Sequence, residues 1–250
     1  MTRRRFIADE VSGDRAVLVG EHADHLVRVL RARVGQKFDI AIGEAVRRGR
    51  IASVSDDRVE FELGEEVSGA DLAGIILVLA VFKFDRMEWA IEKCTELGVS
   101  RIVPVISRRT DAHLAAASSK RVERWQRVAR QAAEQSRRAS PPEIAVPIKV
   151  SEALSLQAAL RIVLAESEER TLLRDVVRPH AAEDGVALAV GPEGGWTEDE
   201  SQSFRQAGWI SASLGNTILR AETAAMAATA IVASEMYALS LRPKLRDFGV

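Results

Sequence analysis

Hydrophobic and polar positions change rhythm once along this 250-residue chain. Up to about residue 70 the runs are short and partly or fully alternating: Ala16-Val17-Leu18-Val19, Lys37 to Ile42, Gly49 to Val54 and Arg58 to Leu63, set apart by Gly, Asp or Ser turns. Alternation between turn residues predicts half-buried strands, and a series of them predicts a small barrel. One helical segment, roughly Glu21 to Arg31, interrupts the series. Glu65 to Gly74 reads as a linker, with Ser68-Gly69-Ala70-Asp71 at its centre. Beyond it, Ile75 to Phe82 is apolar almost without a break, as suits a strand covered on both faces of a parallel sheet. Two domains are therefore expected, residues 1–70 and 74–250, the second alternating strands with helices.

A helix is expected from about Arg86 to Leu97, with Asp85 and Glu88 at capping-box spacing and Gly98 as its stop. Its Met87, Ala90, Ile91, Cys94 and Leu97 share one face, so Cys94 reads as a small buried apolar residue rather than a nucleophile. Ile102-Val103-Pro104-Val105-Ile106 reads as a strand whose proline hints at a sheet edge or an irregularity. A longer helix over Ser119 to Arg138 turns Val122, Trp125, Val128 or Ala129, and Ala132 inward, and Pro141-Pro142 ends it. Short strands are expected near Ile144–Val146, Arg161–Ala165 and Val186–Val190. A helix follows Thr197, whose hydroxyl caps it while Glu200 reaches back. The last helix, about Ala221 to Leu241, carries small residues on several sides. These permit close packing against a helix of a second copy, and burial in one chain explains them equally well.

The 47% hydrophobic content is enough for a sizeable core. A net charge of −1 names no partner, but its distribution says more. Residues 1–50 carry 11 Lys and Arg against 7 Asp and Glu, residues 120–138 carry 7 against 2, and residues 165–200 carry 3 against 10. Two basic zones on a neutral chain suggest a side that faces a polyanion, although a single charged run commonly just solvates a helix face. The single cysteine excludes an internal disulfide and a Cys-rich zinc site, and His22, His25, His113 and His180 show no metal-ligand spacing. No metal is expected. No apolar stretch reaches membrane-spanning length, and Met1 to Phe6 lacks the apolar core of a signal peptide, so no membrane partner and a reducing cytoplasm are expected.

Gly191-Pro192-Glu193-Gly194-Gly195 follows the apolar run Val186–Val190 and precedes a helix start. About twenty residues later comes Leu214-Gly215-Asn216-Thr217-Ile218-Leu219-Arg220-Ala221-Glu222-Thr223-Ala224. Loops at strand ends, with glycines that let backbone approach a ligand, are where α/β proteins bind small molecules. Taken singly, each is as well read as an ordinary strand-to-helix turn; the pair points to a site. Neither a phosphate-binding Gly-x-x-x-x-Gly-Lys-Ser/Thr loop nor a dinucleotide Gly-x-Gly-x-x-Gly is present, and Glu193 would repel phosphate, which argues against a nucleotide-dependent enzyme.

Three segments, Met87 to Val99, Trp125 to Ser136 and the two glycine loops together, resemble the RsmE family of 16S ribosomal RNA (uracil-N3) methyltransferases. Arg5-Phe6 and His25 to Arg31, followed by Gly35, are similar to that family as well. The resemblance implies an α/β fold: a C-terminal SPOUT-type domain with a parallel sheet and a trefoil knot, plus a small N-terminal PUA-like β-barrel for RNA. It also implies a homodimer, S-adenosylmethionine as cofactor, and methylation of N3 of a uridine in 16S rRNA of the small ribosomal subunit. Two places depart from the family pattern. Arg137 stands where the family usually has glycine before the arginine, here Arg138, and the turn after the second barrel strand is Gly43-Glu44-Ala45.

With the resemblance, the cofactor-binding set is Leu164, Gly191, Pro192, Glu193, Gly194, Gly195, Leu214, Gly215, Ile218, Leu219, Arg220, Glu222, Thr223 and Ala224. Methyl transfer is an in-line displacement, to which positioning alone contributes about 7–11 kcal/mol. Uracil N3 is a weak nucleophile until its proton leaves, and two devices could help: a cation near O2 or O4, and a carboxylate or water as proton acceptor. Arg220 is the leading candidate for the cation, with Glu134 and Arg138 as further catalytic candidates. Glu222 reads as a catalytic carboxylate or, more simply, as an acid complementing a helix dipole. Arg5, Arg28, Arg31, Arg33, Arg121, Arg124 and Arg127 form the RNA-facing set, while His25 reads as a structural partner in its helix. Phosphate contacts supply affinity, and specificity comes from RNA shape and an extruded base. The rival reading is an RNA-binding module without catalysis, which would not need the intact Gly194, Gly195 and Gly215.

Overall fold

The computed structural model describes residues 5–43, 45–55, 57–67, 74–180 and 185–240. The centre of the expected linker, Glu44 of the Gly43-Glu44-Ala45 turn, and Leu241 at the expected end of the last helix fall outside the described residues. The chain divides into two units, Met1–Asp71 with Arg130–Pro141, and Leu72–Ala129 with Pro142–Val250.

The first unit is a curled, mixed six-stranded sheet. Its strands are β1 (Arg5–Ile7), β2 (Glu10–Ser12), β3 (Arg15–Val19), β4 (Lys37–Ile42), β5 (Ala45–Val54) and β6 (Arg58–Val67), in the order β1-β4-β5-β6-β3-β2. Only β1 and β4 pair in parallel. A short helix, α1 (Glu21–Asp24), continues into a π-helical turn over His25–Val29 and seats Ala23 and Leu26 in the core. The alternation predicted for these strands is what fills that core: Leu18, Ile40, Ile51, Val59 and Phe61 all point inward. Gly49 sits in the middle of β5 because a Cβ there would stand 2.4 Å from Cγ1 of Ile40. Ala133 and Ala139 pack with Ile7, Ala41 and Val46, so this unit is discontinuous in sequence.

The second unit is a parallel sheet with helices on both faces. It comprises β7 (Ile75–Ala80), α2 (Phe84–Glu96), β8 (Arg101–Ile106), α3 (Ala112–Ser118), α4 (Val122–Gln135, its last residues grouped with the first unit), β9 (Glu143–Ile144), β10 (Ile148–Lys149), α5 (Val150–Ala153), β11 (Leu160–Leu164), α6 (Leu173–His180), β12 (Val186–Val190), α7 (Glu198–Gln206), β13 (Ile210–Ala212) and α8 (Ala221–Ser240). The strand order is β10-β8-β7-β12-β11-β13, with β9 also paired to β8. One face, through Leu77, Leu79, Ile102 and Leu188, packs on α2, α6 and α8. The other, through Val78, Val103, Val163 and Ala189, packs on Trp196, Phe204 and Trp209. Burial on both faces explains why these strands are apolar without alternation.

Two expectations need correction, and a third resolves between its alternatives. The helix expected from Arg86 starts at Phe84 with Lys83 at its N-cap and no side-chain cap. Asp85 therefore lies inside the first turn, where it complements the dipole but cannot cap. The single helix expected over Ser119–Arg138 is α3, a 3₁₀ turn (Ser119–Arg121) and α4. α4 stops before the prolines, because Arg137 takes a left-handed φ of 60° and the N–H of Arg138 reaches back to the carbonyl of Ala133 at 2.9 Å. That is the closure usually made with a glycine. Pro104 lies in an interior strand, but at an irregularity. Along β8 the carbonyl of Val105 faces β7 (Val81 N–H, 2.8 Å) and that of Ile102 faces β9 (Ala145 N–H, 3.0 Å). Alternation turns the Pro104 nitrogen to the side where β9 has ended and β10 has not begun, so its missing N–H breaks no ladder bond.

Candidate active site

Strand order makes the site. β12, β11 and β13 are neighbours in the parallel sheet, so the loops leaving their C-terminal ends are neighbours too. These loops wall a cavity of about 770 Å³, within the size range of small-molecule sites. Leu164 and Glu166 come from the end of β11, Gly191, Pro192, Gly194 and Gly195 from β12, and Leu214 to Leu219 from β13. Two glycine bends distant in sequence thus border one space.

The first bend is tightly held. The N–H of Gly195 donates to the carbonyl of Pro192 at 2.8 Å, and Gly195 takes a φ of 69°, a left-handed angle that side chains resist. Trp196 follows, packed on Phe204 with ring centroids 5.0 Å apart. Its indole edge lies 3.3 Å from where a Cβ on Gly191 would stand, so Gly191 makes room for the ring. Thr197 then caps α7: the N–H of Glu200 donates to Thr197 Oγ1 at 3.3 Å, and the N–H of Thr197 donates to Glu200 Oε2 at 2.9 Å. This is the capping box read from the sequence. Glu200 also accepts from the N–H of Arg108 at 2.8 Å, which ties the loop after β8 to the loop after β12. From that loop Arg109 donates to the carbonyl of Gly194.

The cavity wall carries Leu164, Gly191, Pro192, Gly194, Gly195, Leu214, Gly215, Ile218, Leu219 and Ala224, but not Glu193, Arg220, Glu222 or Thr223. Glu193, Arg220 and Thr223 are exposed. Glu222 is 1% exposed, in the first turn of α8, and pairs with Arg86 of α2. Its carboxylate thus has a structural partner. Sequence reasoning missed Arg109, Glu166 and Trp196 on the wall. A polar run directly after an apolar strand, Glu166-Ser167-Glu168-Glu169, is the one signal that could have found Glu166. Cys94 is buried beside Thr229, and burial pushes its thiol pKa up to about 12, as fits a packing residue.

The remaining candidates belong to both units. In the first, a cavity of about 740 Å³ has Arg5, His22, His25, Glu134 and Arg137 on its wall. Arg5 donates to the carbonyl of Arg137, and burial lowers its pKa. Glu134 Oε1 accepts from the N–H of Ile7 at 3.4 Å and from Arg130 Nε at 3.5 Å. Arg138 is buried, and burial brings its pKa down to about 10. Arg28 pairs with Asp24, while Arg31 and Arg33 are exposed. In the second unit Arg121 stacks over Phe84 at 4.6 Å, Arg124 pairs with Glu88 at 3.2 Å and Arg127 is exposed. Among the described residues no cluster of His, Cys, Asp or Glu is placed to hold a metal ion, and no helix is long and apolar enough to cross a membrane.

A parallel α/β sheet with glycine bends around a cavity at its strand ends is the architecture of a small-molecule-binding α/β domain. Residues 71–233 match the family described as the RNA methyltransferase domain. The ribosomal RNA small subunit methyltransferase E of Rickettsia conorii is 32% identical over 225 residues, which cover 86% of this chain and 88% of that protein. The protein of the same name from Aquifex aeolicus is 30% identical over 239 residues, covering 91% and 97%. A solved structure of the Neisseria gonorrhoeae ribosomal RNA small subunit methyltransferase E bound to S-adenosyl methionine matches with a TM-score of 0.82 and 31% identity, covering 93% of this chain and 98% of that one. The chain belongs to the ribosomal RNA small subunit methyltransferase E family.

Proposed function

We propose that this protein transfers a methyl group from S-adenosylmethionine to N3 of a uridine in 16S rRNA. The observation that carries the reading is the convergence of the two glycine bends on one cavity. The fit to the cofactor is supported by the cavity's size, by glycine backbone at Gly191, Gly194 and Gly195 on its wall, and by the Trp196 Nε1 donor, buried without a hydrogen-bond partner among the described residues. The S-adenosyl methionine named with the Neisseria relative supports it independently.

S-adenosylmethionine supplies an electrophilic methyl carbon on a positive sulfur. The chain's own part is to hold it and to prepare the acceptor. Backbone of Gly191–Gly195 and Leu214–Leu219 would hold adenine and ribose, with Leu164, Ile218 and Leu219 as apolar cover. Arg220, directly after the second bend, stabilises the negative charge that develops on the uracil oxygens as the N3 proton leaves. That proton would pass to a carboxylate or to water as the methyl group moves from sulfur to N3. Glu134 as a base and Arg138 as a phosphate or base contact are the further catalytic candidates, and the exposed arginines of both basic zones contact the RNA. A homodimer, a cytoplasmic location and a chain threaded as a trefoil knot go with this reading, and the small residues along α8 suit a helix-to-helix interface.

The test is mass mapping of modified nucleosides after incubation with small ribosomal subunits and S-adenosylmethionine. A single 3-methyluridine is the expected product. Binding of RNA with no methyl transfer and no calorimetric heat with the cofactor would instead make the protein an RNA-binding module.

A further inference from the structure

Two charged side chains that the sequence reading passed over border the same glycine. A methyl group in place of a Gly195 hydrogen would stand 3.9 Å from Glu166 Oε2 and 4.0 Å from Arg109 Nη1. Both residues are on the cavity wall. Among the described residues Glu166 has no hydrogen-bonding or ionic partner, and Arg109 has one, the carbonyl of Gly194. A guanidinium has five N–H donors in a planar fork, so most donors of Arg109 have no hydrogen-bond partner among the described residues.

Arg109 is not on a loose loop. Thr110 Oγ1 donates to the carbonyl of Val81 at 3.1 Å, and the N–H of Thr110 donates to the carbonyl of Ser107 at 3.1 Å. Glu200, only 6% exposed, accepts from the N–H of Arg108 at 2.8 Å through one oxygen and from the N–H and hydroxyl of Thr197 at 2.9 and 3.1 Å through the other. One buried carboxylate therefore joins the loop that carries Arg109 to the loop that carries Gly194 and Gly195. Groups held this way before a ligand arrives lose little entropy on binding it.

We propose that Arg109 and Glu166 bracket the methyl donor: Arg109 takes the carboxylate of its amino-acid end, and Glu166 accepts from its ribose hydroxyls. The inference rests on the reading of this cavity as the donor site. A planar fork matches a carboxylate through two parallel hydrogen bonds. A free carboxylate suits a diol, which offers two donors and no charge. Glu200 is then a positioning residue, acting through the Arg109 loop.

The test is calorimetry with two neutral thioethers, S-adenosylhomocysteine and 5′-methylthioadenosine. They share adenine and ribose, and only the first has an amino-acid end. Arg109→Ala is expected to weaken S-adenosylhomocysteine about 10- to 100-fold, the range for a charge-assisted hydrogen bond, and to leave methylthioadenosine within about threefold. Arg109→Lys keeps the charge without the fork and is expected to fall between. Glu166→Ala is expected to weaken both ligands alike, by about tenfold. Equal loss of both ligands in Arg109→Ala would reduce Arg109 to a loop prop and overturn its assignment. Loss of the homocysteine compound alone in Glu166→Ala would place that carboxylate on the amino group and overturn the ribose assignment. Unchanged affinities in correctly melting variants would overturn both. If the unaltered protein binds neither compound nor S-adenosylmethionine, the donor-site reading itself fails.

Discussion

The two bends around the cavity are built in opposite ways. The bend after β12 is anchored through an internal turn bond, Arg109 on a carbonyl, Trp196 on Phe204, and the Thr197–Glu200 capping box. The bend after β13 is tied locally only through Ser213 among the described residues, whose Oγ accepts from the N–H of Gly215 at 3.2 Å and donates to the carbonyl of Gly215 at 3.3 Å, and Gly215 to Ile218 are exposed. Ile218 is 83% exposed although it lies on the cavity wall. Leaving an isoleucine in water forgoes about 1.5–3 kcal/mol that covering it would return. The difference teaches a division of labour. The first bend is shaped by the chain's own contacts, whereas the second leaves its side chains open to whatever enters the cavity.

Several substitutions would break or sharpen that contrast. The largest effect is expected from Arg220→Ala, just past the exposed bend. Methyl transfer to ribosomal substrate should fall by about 100-fold or more while donor affinity stays within a few-fold, since the role proposed for Arg220 is on charge that develops only in the transition state. Unchanged turnover would remove Arg220 from the mechanism. Next, Gly195→Val forces a β-branched side chain into a φ of 69° on the anchored bend and should abolish measurable donor binding. Normal binding in that variant would show that the first bend is not part of the pocket.

Smaller effects separate the bends further. Ile218→Ala should weaken the donor about 5- to 10-fold by calorimetry and leave the melting temperature unchanged, because the free protein does not bury that side chain. A drop in melting temperature would mean the second bend is already packed. Thr197→Ala should cost about 1 kcal/mol of stability in denaturant unfolding, the usual worth of an N-cap, with a donor loss of a few-fold at most. Without any substitution, amide exchange over residues 214–219 should be faster than over 193–195 in the free protein and should slow on donor addition. Equal protection in both would erase the contrast.

Much of this was legible from residue order, and for identifiable reasons. Alternation marked the barrel strands because one face of each is wet. The apolar runs Ile75–Ala80 and Val186–Val190 marked buried parallel strands because both faces are dry. The capping box of α7 was legible because it is a contact three residues long. Other features were not legible. Arg109 reaches Gly194 across 85 residues, and Glu200 ties down Arg108 across 92. The segment 130–141 joins the first unit through Ala133 and Ala139, whose small side chains look the same in any core. The end of α4 was placed wrongly because an arginine does the work of a glycine at residue 137.

Residue order by itself determined which stretches are strands and helices, which faces are apolar, and that two glycine bends lie at strand ends, since each depends on local periodicity and backbone freedom. Tertiary structure alone decided that β11 stands between β12 and β13, and hence that the bends share one cavity with Glu166 and Arg109 beside them. Strand order is set by long-range pairing and by packing on both faces of the sheet, and no local pattern in the chain encodes it.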